Sequence, residues 1–300
     1  MGMGSSGYHQ LIRGFIFVLI LCPVFSWGAT VGLLVDSKND QAISFQTHLQ
    51  QLSPQHDISL ITPDSLPDTQ PIDAWFTIGP KVLAKLLNQS KYKQPILSLF
   101  ITQASAEKLR SQYPTRHFST LDNTPTLDRQ LALIKVLNPQ VKQIAVFYSS
   151  QGQEQIAKLK ILAENLGLKL LASELADPLN WKRGALKTLK DADLVLGLKD
   201  SAIYNATNIR SILMRLYRAG RPLIGPDKGY VRAGAVASIY SGMPETLKIC
   251  TDLLKNIKSW PKNIPNPNFN VSINAQVARS LNIVVQDSDQ VAKAVRELLE

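Results

Sequence analysis

The residues best placed to do chemistry in this chain stand in small groups, each just past a short apolar run. Asp36-Ser37 follows TVGLLV, Thr77 and Gly79 close AWFTIG, Ser149-Ser150 follows QIAVFY, Asp200-Ser201 follows LVLGLK, and Asp227 ends PLIGPD. Carboxylates and hydroxyls in such places suit ligand binding. A carboxylate holds an ammonium or hydroxyl, and a hydroxyl beside a helix N-terminus helps hold an anion. The free N–H groups and the dipole there favour an anion by about 0.3–1 kcal/mol when exposed. The same residue types also cap helices, and Asp227 before Lys228-Gly229 suits an Asx turn. Both readings stay open at each position. Tyr204, Tyr230 and Phe100 could add an aromatic wall.

Nothing comparable marks a catalyst. His9, His48, His56 and His117 are scattered, and neither HExxH nor a paired-cysteine spacing offers a metal site. The sequence contains no GxSxG elbow and no GxxxxGK phosphate loop. The glycines of GPDKGYVRAG are spaced for turns and not for a dinucleotide fingerprint. The expectation is a binding protein without a cofactor and not an enzyme. A hydrolase or transferase using Asp200 or Asp227 as base is the minor alternative, with no partner residue in view.

The elements that must hold these groups alternate strand and helix. Strands are expected at 30–36, 58–62, 74–79, 95–101, 143–149, 168–175, 193–199 and 222–227, and helices near 40–52, 80–88, 104–112, 126–137, 153–166, 179–190, 202–219, 244–257 and 288–299. Thr77-Ile78-Gly79-Pro80 puts proline in a first helical turn, and Leu166-Gly167-Leu168 offers a glycine stop. Short apolar runs joined by amphipathic helices predict parallel sheets covered on both faces. Open sheets of this kind place ligands at the carboxyl ends of their strands, which is where the candidate groups stand. There are two such series. The polar, turn-rich FSTLDNTPTL (118–127) separates them, and the proline-rich PKNIPNPNFN (261–270) suggests a further crossing.

The chain has 300 residues, a net charge of +10, 45% hydrophobic and 19% charged residues, a globular balance. Residues 1–28 read as a signal peptide. Arg13 flanks FIFVLILCPVF, too short for a comfortable membrane span, and Ser26 and Gly28 are small residues before a cut after Gly28. Leu21 and Pro23 around Cys22 argue against lipidation, and Cys250 is then alone, a small buried hydrophobe. An exported protein with dispersed cations is not expected to bind nucleic acid. The densest stretch, Lys182-Arg183 with Lys187 and Lys190, reads as a solvated helix face.

Four segments carry a resemblance: FSTLDNTPTLDRQLALIKVLNPQVKQIAVFYSS, ADLVLGLKDS, RPLIGPDKGYVRAGAVASIYSG and VSINAQVARSLNIVV. In order and spacing they resemble ABC-transporter substrate-binding proteins related to the tryptophan/tyrosine-uptake binding proteins. The resemblance implies a class I periplasmic-binding-protein fold. It is an α/β architecture of two doubly wound parallel-sheet lobes joined by a three-segment hinge, with crossings near 117–121, 235–239 and 262–269. The N-terminal lobe is drawn as 29–119 plus 236–262, and the C-terminal lobe as 120–235 plus 263–300. It implies a periplasmic monomer that clamps a small organic ligand, an amino acid or related metabolite, and delivers it to an ABC permease. The alternative partner is a membrane sensor or outer-membrane receptor. The sequence departs from the family between 62 and 74, where a further helix is usual, so the first lobe is expected to be abbreviated. VDSKND also lacks the His-Pro often found there, so ligand identity does not transfer.

Overall fold

The computed structural model describes residues 28–68, 71–284 and 286–300; the expected signal segment lies outside them apart from Gly28. The chain opens with β1 (Thr30–Leu34), α1 (Asp40–Leu52), β2 (Asp57–Ile61), β3 (Ala74–Ile78), α2 (Pro80–Leu87), β4 (Ile96–Leu99), α3 (Gln103–Gln112) and β5 (Ser119–Asp122). Next come α4 (Leu127–Leu137), β6 (Gln143–Tyr148), α5 (Gln153–Asn165), β7 (Lys169–Glu174), α6 (Arg183–Asp191) and β8 (Leu194–Leu196). Then follow α7 (Ile209–Arg218), β9 (Leu223–Ile224), α8 (Lys228–Ala233) and β10 (Ala237–Tyr240). The chain closes with α9 (Met243–Leu254), β11 (Asn263–Pro265), β12 (Asn270–Ile273), α10 (Ala275–Ser280) and α11 (Ser288–Leu299).

Among the described residues the strands form two six-stranded sheets, ordered β11-β5-β4-β3-β1-β2 and β12-β10-β9-β8-β6-β7. Pairing is parallel throughout except between β10 and β12. Each sheet is doubly wound, because its first strand lies inside and the order reverses beside it. The reversal between β1 and β3, and again between β6 and β8, opens a crevice at those strand ends. Buried parallel strands need apolar side chains on both faces. Accordingly Trp75 and Phe76 of β3 are both fully buried, one on the face covered by α2 and α3, the other on the face covered by α1 and α9. In the second sheet α4, α5, α10 and α11 cover one face, and α6 and α7 the other. Burying each such large side chain is worth about 1.5–3 kcal/mol.

The connection from β2 to β3 crosses over β1 with only a single 3-10 turn, Pro63–Ser65, among its described residues. Leu66 and Ile72 dock on the α2–α3 face in place of a helix. The helix expected over 202–219 starts only at Ile209. Asp200, Asn205 and Asn208 bond the backbone of 202–208 themselves, and such local bonds compete with helix.

The chain passes between the sheets three times, at 123–126, 241–242 and 266–269. The first two fall a few residues beyond the expected crossings, and the third lies within the expected 262–269. Ser119–Asp122 is a strand of the first sheet, Ala237–Tyr240 belongs to the second, and Asn263–Pro265 returns to the first. One tie joins all three. Asn266 Nδ2 donates to Asn123 Oδ1 at 2.9 Å, and Asn123 Nδ2 donates to Thr246 Oγ1 at 2.8 Å. Thr246 Oγ1 in turn donates to Gly242 O at 2.8 Å. Asn266 and Thr246 are buried. Replacing Asn266 by alanine leaves half-buried partners unmet, and is expected to cost about 1–3 kcal/mol. The check is a lowered urea midpoint with an unchanged slope.

Candidate functional site

Between the sheets, at the carboxyl ends of their strands, lies a cavity of about 430 Å3. The first sheet contributes Thr102, Gln103 and Ala104 from the start of α3, with Asp122 from the end of β5. Thr124 and Pro125 of the first crossing line it, and the second sheet contributes Gln130, Gly152, Gln155 and Leu198 to Ser201.

Of the residues singled out from sequence, Asp200 and Ser201 reach this cavity. Asp200 is 5% exposed and its carboxylate serves the chain itself. Ser149 N donates to Oδ2 at 2.6 Å, and Ser149 Oγ and Ala202 N donate to Oδ1 at 3.0 and 3.1 Å. The carboxylate thus caps one loop and ties it to the end of β6. A Cβ on Gly152 would sit 3.0 Å from Asp200 Oδ2, so glycine lets that loop close over it. Ser201 is exposed, as is Ser150 at the start of a 3-10 turn.

The others stand apart. Asp36 pairs with Lys81 of α2 at 3.0 Å, an exposed bridge of small energetic worth. Ser37 is exposed and α1 is capped instead by Asn39, which accepts from Ala42 N at 2.9 Å. Thr77 is fully buried within β3, its hydroxyl unpartnered, because the strand continues through Ile78 and holds Thr77 inside the sheet. Gly79, at φ 88°, uses its N–H to extend the ladder to Leu99 O at 2.9 Å. Asp227 caps α8, accepting from Gly229 N at 2.7 Å. It lines a separate hollow beside the second crossing. Tyr204 is core and not wall; burial, and then Asp200, push its hydroxyl well above the usual range. Tyr230 packs edge-on against it and donates to Tyr204 O at 2.6 Å.

The residues that sequence reasoning missed carry most of the cavity's chemistry. Thr102 caps α3, accepting from Ser105 N at 3.2 Å, and the amides of Gln103 and Ala104 have no backbone or side-chain acceptor among the described residues. Asp122 Oδ1 accepts from Thr124 N at 2.9 Å, leaving Oδ2 to the cavity. Lys199 Nζ bridges from the second sheet to Thr124 Oγ1 at 3.1 Å. Gln130 is 3% exposed, yet its Oε1 has no hydrogen-bond partner. A buried acceptor left unmet is costly and rare. Together these groups offer helix-terminal amides, a carboxylate and a cation in no ion pair among the described residues, around a space of metabolite size. Among the described residues no cluster of histidine, cysteine and carboxylates could hold a metal ion.

This architecture, two doubly wound sheets with a cavity at their facing edges, is that of periplasmic binding proteins. A model of the family described as ABC transporter substrate binding protein matches residues 69–296, and the chain belongs to that family. No curated protein sequence matches it. Among solved structures it is similar to the ligand-free, open form of a substrate-binding protein with adhesive properties from Clostridium difficile. That likeness has 16% identity, covers 87% of this chain and 97% of that one, and has a TM-score of 0.66. A conserved domain protein from Vibrio cholerae gives 18% identity and a TM-score of 0.52, over 89% of this chain and 98% of that one. An ABC domain in complex with L-Trp from Streptococcus pneumonia gives 18% and 0.50 over the same shares, 89% and 98%. The likenesses bear out the expected fold class, and the family match bears out the expected family. No described helix is long and apolar enough to cross a membrane.

Asp200→Ala should act first on stability, since it removes the carboxylate that accepts from Ser149 N, Ser149 Oγ and Ala202 N. We expect a loss of about 1–3 kcal/mol in urea unfolding. A variant with unchanged stability would refute the capping role.

Proposed function

We propose that the chain is an exported monomer that clamps a small zwitterionic metabolite, an amino acid or close relative, between its two units and delivers it to an ABC permease. The observation that carries this reading is the two-sided lining of the cavity. The free amides at the start of α3 suit a carboxylate, and Asp122 suits an ammonium. Gln130 Oε1 awaits a donor, and Lys199 faces the ligand from the second unit. Neither unit supplies the set alone, so a ligand gains most when the units close on it. The L-Trp held by one neighbour puts aromatic amino acids in the first panel to test.

The test is a thermal-shift screen of residues 28–300 against amino acids, with sugars and nucleosides as contrast. A ligand at roughly 100 times its Kd stabilises by about 2.7 kcal/mol. At least one amino acid should raise the melting temperature. Asp122→Asn and Lys199→Met should each weaken that ligand about tenfold or more, a loss of about 1.4 kcal/mol, without moving the unliganded melting point. A panel in which only sugars or nucleosides shift the protein would replace the amino-acid reading, and a shift that survives both substitutions would place the ligand elsewhere.

A further inference from the structure

A second hollow, about 840 Å3, opens on the first unit at the opposite edge of its sheet, where β4 and β5 begin. Its lining includes Lys93, Arg110, Arg116, His117, Lys258 and Lys262, and no carboxylate. Phe118 and Trp260 add apolar surface. Five permanent cations sharing one concavity repel one another unless an anion joins them, and none of the five is in an ion pair among the described residues.

Two of the cations are held in place by the chain. Arg116 donates Nη1 to Gln89 O at 2.8 Å and Nη2 to Tyr92 O at 2.7 Å. Arg110 reaches across from α3, donating Nη2 to Lys262 O and Asn263 Oδ1, both at 3.0 Å, with its guanidinium 4.9 Å from the Phe118 ring centre. Its Nη1 is shut off from solvent and has no hydrogen-bond partner. Burial lowers the Arg110 pKa against the pull of Glu107, the direction for a cation without a contacting counter-charge. The three lysines are exposed around these fixed guanidiniums.

We propose that this hollow binds a phosphate-bearing anion, separately from the ligand of the cleft. A phosphoryl group carries about two negative charges and three strong acceptor oxygens. It answers several cations at once where a single carboxylate would leave most unmatched. Arginine supplies directional donors for such a group, and lysine adds mobile charge. Two sources present this chemistry, a soluble phosphate compound and the headgroup of an anionic lipid. The inference does not rest on the amino-acid reading of the cleft.

The experiment uses residues 28–300 and two probes, inorganic pyrophosphate by calorimetry and phosphatidylcholine vesicles with and without phosphatidylglycerol by co-sedimentation. Pyrophosphate binding identifies a soluble ligand, and binding to phosphatidylglycerol vesicles alone identifies a lipid headgroup. Either binding should weaken about tenfold or more in Lys258→Glu/Lys262→Glu, as expected from reversing two exposed charges. It should be unchanged in Arg210→Glu/Arg218→Glu, which alters another basic surface, on α7. Melting curves confirm that both variants fold. The proposal fails if neither probe binds, if the lysine variant binds like the parent, or if both variants lose binding equally.

Discussion

Everything at the cleft depends on the tie between Asn123, Asn266 and Thr246, because it fixes how the two sheets face each other. Its partners come from separate stretches of the chain, and each amide or hydroxyl satisfies another. A hydrogen bond adds only about 0.5–1.5 kcal/mol net, whereas a broken one inside a buried network leaves a stranded group that costs more. The tie is also asymmetric. Phe269, at the end of the last crossing, lies between Arg129 and Arg296, each guanidinium 4.9 Å from its ring centre. Those arginines donate to Asn266 O at 2.8 Å and to Phe269 O at 2.7 Å. That crossing is therefore fastened firmly to the second unit.

That constraint explains the division of labour in the cavity. Asp122 ends the strand that leads into the first crossing, and Gln130 lies in the first helix beyond it. Lys199 already touches Thr124 between them. The groups with spare bonding capacity thus cluster beside the first crossing, and the start of α3 stands on the unit opposite Lys199. Asp200 has a different task. It spends its carboxylate on holding the loops after β6 and β8 together, so that the second unit's face keeps its shape.

The alternation of strands and helices was legible because buried parallel strands must be apolar on both faces, and that signal is local. The ends of elements were less so. Ser119–Asp122 reads as a linker by composition, yet it is strand, since its partner β11 arrives from much later in the chain. The helix after β4 was legible to within a residue, but Phe100-Ile101 prolong an apolar run and hid where the strand ends. The structure ends that strand at Leu99 and turns Phe100 to φ 54°, half exposed and edge-on to Phe45. Thr77 looked like a strand end and lies one residue inside it. Asp200 stands past a strand, as its place in the sequence indicates, but side-chain bonding partners across fifty residues leave no trace in a single sequence.

The most direct test of two-unit closure is a distance across the cleft. Spin labels at Lys108→Cys on α3 and Lys158→Cys on α5 report it, because both positions are exposed and Cys250 is buried. With a cleft ligand at saturation, the distance distribution should shift shorter and narrow. A distribution that stays unchanged while the ligand is shown to be bound would contradict closure about this hinge.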